Sequence, residues 1–141
     1  MDIAKYRHAL AQLKDAFFMT DGGIETTLIF LEGQKLPLFA AFHLLRCSEG
    51  ENALRRYFRT YATLAQRFGV GLILETPTWR ASHDWGQRLG YSADALVQAN
   101  MTSVRLLEEI RSEFESSQAP IVISGCLGPR GIGIYTIGVF V

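Results

Sequence analysis

The chain has 141 residues, of which 48% are hydrophobic and 20% charged; this excludes a disordered segment and suffices for one buried core. Lys plus Arg and Asp plus Glu number 14 each, so no excess of positive charge draws the chain to nucleic acid or to an anionic membrane. No apolar run reaches the length of a membrane span, Met1-Asp2-Ile3-Ala4-Lys5 lacks the basic-then-apolar form of a secretory signal, and Cys47 and Cys126 form no CxxC, so a cytoplasmic protein in a reducing compartment is expected.

Ile3, Tyr6, Leu10, Leu13 and Phe17 are spaced by three and four, which predicts an N-terminal helix with one apolar stripe, ending near Lys14-Asp15. Phe17 to Thr20 then reads as a short buried strand that stops at Asp21-Gly22-Gly23. A carboxylate at a strand end followed by bare backbone N–H groups can hold a small zwitterion: Asp21 takes the ammonium and the amides take an oxygen. Asp-Gly and Gly-Gly are equally ordinary turn dipeptides. Ile24 to Leu31 suits a short helix, with Glu25 favoured in its first turn by the helix dipole and Gly33 as its stop.

Leu38 to Leu45 is apolar around His43, which reads as a satisfied core or boundary histidine because no second histidine stands at helical spacing. Ser48 and Glu51 have the form of a capping box. The helix behind them carries Leu54, Tyr57, Phe58, Tyr61, Leu64 and Phe68 on one face, and Arg55, Arg56, Arg59 and Arg67 read as its solvated side. Gly69 closes it. Val70 to Leu74 is the second buried strand, ending in Glu75-Thr76-Pro77-Thr78-Trp79-Arg80. Ser82 and Ser92 can cap the next two helices, the first stopped by Gly90 and the second burying Leu96, Val97, Val104, Leu107, Ile110 and Phe114. Ile121 to Ile123 is the third strand, followed by Ser124-Gly125-Cys126-Leu127-Gly128-Pro129-Arg130-Gly131.

Strands alternating with helices predict parallel βαβ units, and strands apolar throughout predict a sheet covered on both sides. In such folds ligands bind at the carboxyl ends of the strands, although βα loops are polar and glycine-rich in any case. Gly125, Gly128 and Gly131 are spaced by three, which is not the dinucleotide-binding G-x-G-x-x-G.

Three ordered motifs, Asp21-Gly22-Gly23-Ile24-Glu25-Thr26-Thr27-Leu28, then Ile73-Leu74-Glu75-Thr76-Pro77-Thr78-Trp79-Arg80-Ala81-Ser82, then Ser124-Gly125-Cys126-Leu127-Gly128-Pro129, resemble the homocysteine S-methyltransferase family from about Phe17 to Gly131. The resemblance implies a partial (β/α)8 TIM barrel in an α/β chain: the first three or four βα units with the N-terminal helix, over residues 1–141. It implies small-molecule substrates, homocysteine and a methyl donor such as S-methylmethionine, betaine or a methylated folate, with methyl transfer to the thiol giving methionine. Asp21 and Gly22 match the contact to the amino-acid end of homocysteine. Thr76 and Thr78 match polar positions beside the substrate, Gly125 and Gly128 match glycines that shape the third loop, and Trp79 and Arg80 stand where donor preference would be expressed. Gly23, Glu25 and Glu75 complete the expected substrate-binding set.

The family is also expected to hold zinc through three cysteines, one in a later strand-end motif and two adjacent near the C-terminus. This chain has no Cys-Cys pair, and neither Cys47 nor Cys126 matches a ligand position. Residues 132–141 depart from the family pattern as an apolar, uncharged, β-prone tail that could add a fourth strand or be out-of-frame sequence.

Three readings follow. The chain is the amino-acid-clamping part of a zinc-dependent methyltransferase, inactive alone. Or it is an inactive fragment or half-barrel that binds a partner half or self-associates through open barrel edges. Or Asp21 and Glu75, on neighbouring strand ends, serve a different acid–base chemistry.

Overall fold

The computed structural model describes residues 5, 6 and 8–130. The apolar tail 132–141, together with Ile3 of the N-terminal stripe, lies outside the described residues. Three strands, β1 (Phe18–Thr20), β2 (Gly71–Glu75) and β3 (Ile121–Ser124), form one parallel sheet in the order β1-β2-β3. Thr20 pairs with Ile73 and Glu75 with Ser124, so the carboxyl ends of the three strands lie along one edge.

Between β1 and β2 run α1 (Ile24–Thr26), continued by a wider π turn over Thr27–Leu31, two 3-10 turns at Pro37–Phe39 and Ala41–Arg46, and the long helix α2 (Ser48–Phe68). Between β2 and β3 run α3 (His83–Arg88) and α4 (Ala93–Phe114). This is the predicted strand–helix alternation. Gly69, at φ 62°, closes α2 in a left-handed conformation that glycine adopts without a Cβ penalty.

The core lies between the sheet and the two long helices. Leu54, Tyr57, Phe58, Ala62 and Ala65 of α2 and Leu106, Leu107 and Ile110 of α4 pack with Leu72, Leu74 and Ile121 of the strands. Alternate strand positions face the other way, and on that side the ring of Phe18 lies over Gly71, where a Cβ would come within 2.4 Å of it.

The structure corrects several expectations. The described residues form an open three-stranded parallel sheet, as a partial α/β fragment would, but the core helices α2 and α4 lie on one of its faces where cover on both was expected. Thr20 and Glu75 are accordingly exposed. The N-terminal stripe does not form the expected helix over its described residues: only Ala11–Leu13 makes a 3-10 turn, and Leu13 and Phe17 are 78% and 75% exposed. A three-and-four spacing creates an apolar stripe but supplies nothing to pack it against, and tertiary burial stabilises most short helices.

The capping box at Ser48 does not form either. Cys47 is the extended residue before α2, its carbonyl accepts the Glu51 N–H at 3.0 Å, and the Ser48 hydroxyl donates to Glu49 instead. On α4, Val97 and Val104 are exposed, while Leu106 and Ser103 are buried. The α2 arginines are not a plain solvated face. Arg55 bridges Glu51 and Glu109, Arg59 meets Glu113, and Arg56 meets Glu32, so two of them tie α2 to α4.

Candidate functional site

The carboxyl edge of the sheet brings together Asp21, Glu75, Ser124 and the loops that follow each strand. A cavity of about 230 Å³ there is lined by Thr20, Asp21, Ile73, Glu75 and Ser124. A larger cleft of about 310 Å³ runs beside β3 and α4, lined by Tyr6, Leu10, Val104, Val122 and Ile123 among others. It lies along the β3 edge of the described sheet, its exposed surface is mostly apolar, and of the expected substrate-binding residues it holds Thr76 and Gly125; we place the chemistry at the smaller one, where the carboxylates converge.

Asp21 is held from both sides. Its Oδ1 accepts the Glu75 N–H at 3.2 Å, and its Oδ2 lies 3.2 Å from the Tyr57 hydroxyl of α2. Burial pushes its carboxyl above the usual carboxylate range, and the neighbouring Glu75 charge adds to that, while the two hydrogen bonds act the other way. The Tyr57 hydroxyl is also 3.0 Å from the Gly22 carbonyl, which accepts from Tyr61 at 3.1 Å. Burial and the Asp21 charge push the Tyr57 phenol up, so it stays a proton donor at neutral pH. Gly22 has open space where a Cβ would stand, and Gly23 turns the chain at φ 63°.

Glu25, on the first turn of α1, is also raised, first by burial and then by the Glu75 charge, with Arg80 opposing. Asp21, Glu25 and Glu75 therefore form one mutually repelling group at the strand ends.

The second and third loops are locked together by two buried hydroxyls. Thr78 donates to the Cys126 carbonyl at 2.8 Å, and Thr76 accepts the Cys126 N–H at 2.9 Å. The 2.7 Å contact between the two hydroxyls is then a donation from Thr76 to Thr78. Both threonines are thus engaged within the protein.

Gly128 sits against Trp79, whose carbonyl a Cβ there would approach to 1.9 Å. Arg80 lies between two indoles, 4.0 Å from the Trp79 ring centroid and 3.7 Å from that of Trp85. Trp85 donates to the Pro129 carbonyl, and Arg130 pairs with Asp84. Gly125 has open space around it.

A model of the family described as homocysteine S-methyltransferase matches residues 18–136. The chain belongs to the homocysteine S-methyltransferase family. No significant match was found among curated proteins or solved structures.

The three stretches that carry the resemblance in the sequence line the carboxyl edge. Asp21, Gly22 and Gly23 follow β1; Glu75 ends β2, and Thr76, Thr78 and Trp79 follow it; Gly125 and Gly128 follow β3. Asp21 and Glu75 both line the small cavity, whereas Thr76 and Thr78 turn their hydroxyls to the third loop. Sequence reasoning missed Tyr57 and Tyr61 as neighbours of the Asp-Gly-Gly turn, placing them only on a core face. Their spacing of four, with both phenols on one helix flank, was the available signal.

The described residues do not fit the family's zinc. A catalytic zinc centre takes three protein donors, from Cys, His or carboxylate side chains, converging in a near-tetrahedral array. The donors at the strand ends are three carboxylates and the single thiol of Cys126. Among the described residues no group of three or more His, Cys, Asp or Glu is placed to hold a metal ion. Burial and the Glu75 charge push the Cys126 thiol up to about 11. At pH 8 only about one Cys126 in a thousand is then a thiolate. Pulse alkylation followed by peptide mass spectrometry should therefore label exposed Cys47 first, with the Cys126 rate climbing as pH approaches 11. Equal labelling of the two at pH 8 would contradict this electrostatic picture.

Proposed function

We propose that these residues form the amino-acid-binding part of a domain that transfers a methyl group to the thiol of homocysteine, giving methionine. The observation that carries this reading is Asp21, a partly buried carboxylate with both oxygens already oriented, facing a cavity of a size for a small amino acid. An ammonium there gains a charge-assisted hydrogen bond and relieves the repulsion among Asp21, Glu25 and Glu75. Gly22 and Gly23 leave the backbone open for the substrate's carboxylate, and Thr76 and Thr78 act by fixing the third loop with Gly125 and Gly128. Trp79, backed by Arg80, forms the wall at which the methyl donor would be selected.

Attack on a methyl group needs a thiolate. The three carboxylates disfavour one, as they do at Cys126, so the described residues bind and orient homocysteine rather than activate its sulfur. In the family, zinc held by cysteine thiolates would serve that purpose. Free cysteines at Cys47 and Cys126 fit a cytoplasmic setting; no helix among the described residues is long and apolar enough to cross a membrane.

The test is calorimetric titration with homocysteine and with 4-mercaptobutyrate, which keeps the thiol and carboxylate but lacks the ammonium. Homocysteine should bind at least about ten-fold more tightly, the worth of one hydrogen bond to a charged group. Equal affinity for the two would overturn the assignment of Asp21 to the ammonium.

A second reading, self-association through the open sheet edges, is supported by the exposure of Phe17, Phe30 and Leu31 and by the apolar cleft beside β3. Sedimentation at two protein concentrations distinguishes it, since a concentration-independent monomer would remove it.

A further inference from the structure

We infer that Tyr57 and Tyr61 of α2 are positioning residues that set the rotamer of the Asp21 carboxylate and the plane of the Gly22 peptide. This rests on the reading of Asp21 as the ammonium-binding group, and it assigns the aim of that group to the helix behind it.

Two hydroxyl protons serve two acceptors. Tyr61 donates to the Gly22 carbonyl at 3.1 Å and its hydroxyl also neighbours that of Tyr57, whereas Tyr57 lies 3.0 Å from that carbonyl and 3.2 Å from Asp21 Oδ2. With the Tyr61 proton on Gly22, the Tyr57 proton is released to Asp21, and both acceptors are satisfied. The second carboxylate oxygen is fixed by the Glu75 N–H. Asp21 is thereby held by β2 and by α2 where it lines the cavity.

The tyrosines are suited to this. The Tyr57 ring is 2% exposed and packs edge-on against Phe58 with centroids 5.1 Å apart, and the Tyr61 ring lies 5.1 Å from that of Tyr57. A ring fixed by packing on a long helix delivers its hydroxyl to one place, which a loop side chain does not. The charged groups that also act on Asp21 are Glu75 on β2 and Glu25 on α1, both of which oppose its ionisation.

The deciding measurement is the titration of the Asp21 side-chain carboxyl, followed by carbon-detected NMR in the wild type, Tyr57→Phe and Tyr61→Phe, together with homocysteine affinity in each. Tyr57→Phe removes one oxygen and keeps the packed ring. It should raise the Asp21 midpoint by about one pH unit, because a hydrogen bond to the charged form is lost. Homocysteine affinity should fall about three- to ten-fold. Tyr61→Phe should raise the midpoint by less, since the Gly22 carbonyl then competes for the Tyr57 proton. An Asp21 midpoint unchanged in Tyr57→Phe overturns the inference, whether or not homocysteine binds. A raised midpoint in a protein whose wild type does not bind homocysteine supports the positioning role and overturns the amino-acid reading instead.

Discussion

Asp21→Asn is expected to weaken homocysteine binding about 10- to 100-fold while leaving the ligand-free protein as stable as the wild type, or more so, at neutral pH. The loss corresponds to one charge-assisted hydrogen bond at a partly desolvated site, roughly 1.5–3 kcal/mol. The stability expectation follows from the direction in which burial moves the carboxyl. Its folded-state pKa lies above the unfolded value, so the stabilisation it contributes is present in full below the unfolded pKa and is lost as pH rises through the folded one. At pH 7 the folded protein therefore carries an unfavourable charge that asparagine removes. Asparagine also fits the existing partners: its oxygen can accept the Glu75 N–H, and its amide can donate to the Tyr57 oxygen while that hydroxyl turns to Gly22. Calorimetric titration and thermal denaturation at pH 7 check both halves. A variant that binds homocysteine like the wild type sinks the assignment, and one that melts well below it sinks the electrostatic argument.

Gly50→Ala is expected to destabilise the fold by roughly 2 kcal/mol, the balance of a packing penalty and a helix-propensity gain. In a solvated helix this change would be favourable by about 0.5–1 kcal/mol. Here a Cβ would stand 2.3 Å from the Leu44 carbonyl oxygen and 2.9 Å from the Leu44 Cα and carbonyl carbon. Those are backbone atoms of the turn Ala41–Arg46, which carries buried Ala41, Phe42 and Leu44. A flexible side chain could swing away; this turn moves only by unpacking the start of α2. The melting temperature should fall by roughly 5–10 °C, whereas Asn52→Ala, on the exposed side of the same turn of α2, should stay within about 0.5 kcal/mol of the wild type. A Gly50→Ala protein that melts at or above the wild-type temperature would show that Leu44 yields freely.

The same carboxylate repulsion that makes Asp21 costly in the empty protein makes it receptive to an ammonium. Glu25 and Glu75 raise its proton affinity, and a cation relieves all three groups at once. Ligand binding should therefore stabilise the protein more at pH 7 than in mild acid, where the cluster begins to protonate.

The sequence by itself determined the alternation of strands and helices, the three strand ends and the family. These are local properties: an apolar run that stops at Asp21 or Glu75, a glycine at 69 that ends a helix, a three-and-four stripe long enough to make α2 and α4. Each is fixed by residues close in the chain, so it is legible without a fold. The tertiary structure decided the rest. The stripe through Leu10 and Leu13 has the same spacing as that of α2, yet over its described residues it forms only a short turn: Tyr6 and Leu10 border the cleft beside β3 and α4, while Leu13 and Phe17 stay exposed. Thr76 and Thr78 match polar positions beside a substrate, but the third loop, some fifty residues on, engages both hydroxyls. Tyr57 and Tyr61 read as core, and only the folded chain brings their phenols to a turn more than thirty residues earlier. Hydrogen-bond partners at such separations are set by how the helix layer sits on the sheet, and that is a property of the packed whole, not of any stretch of the chain.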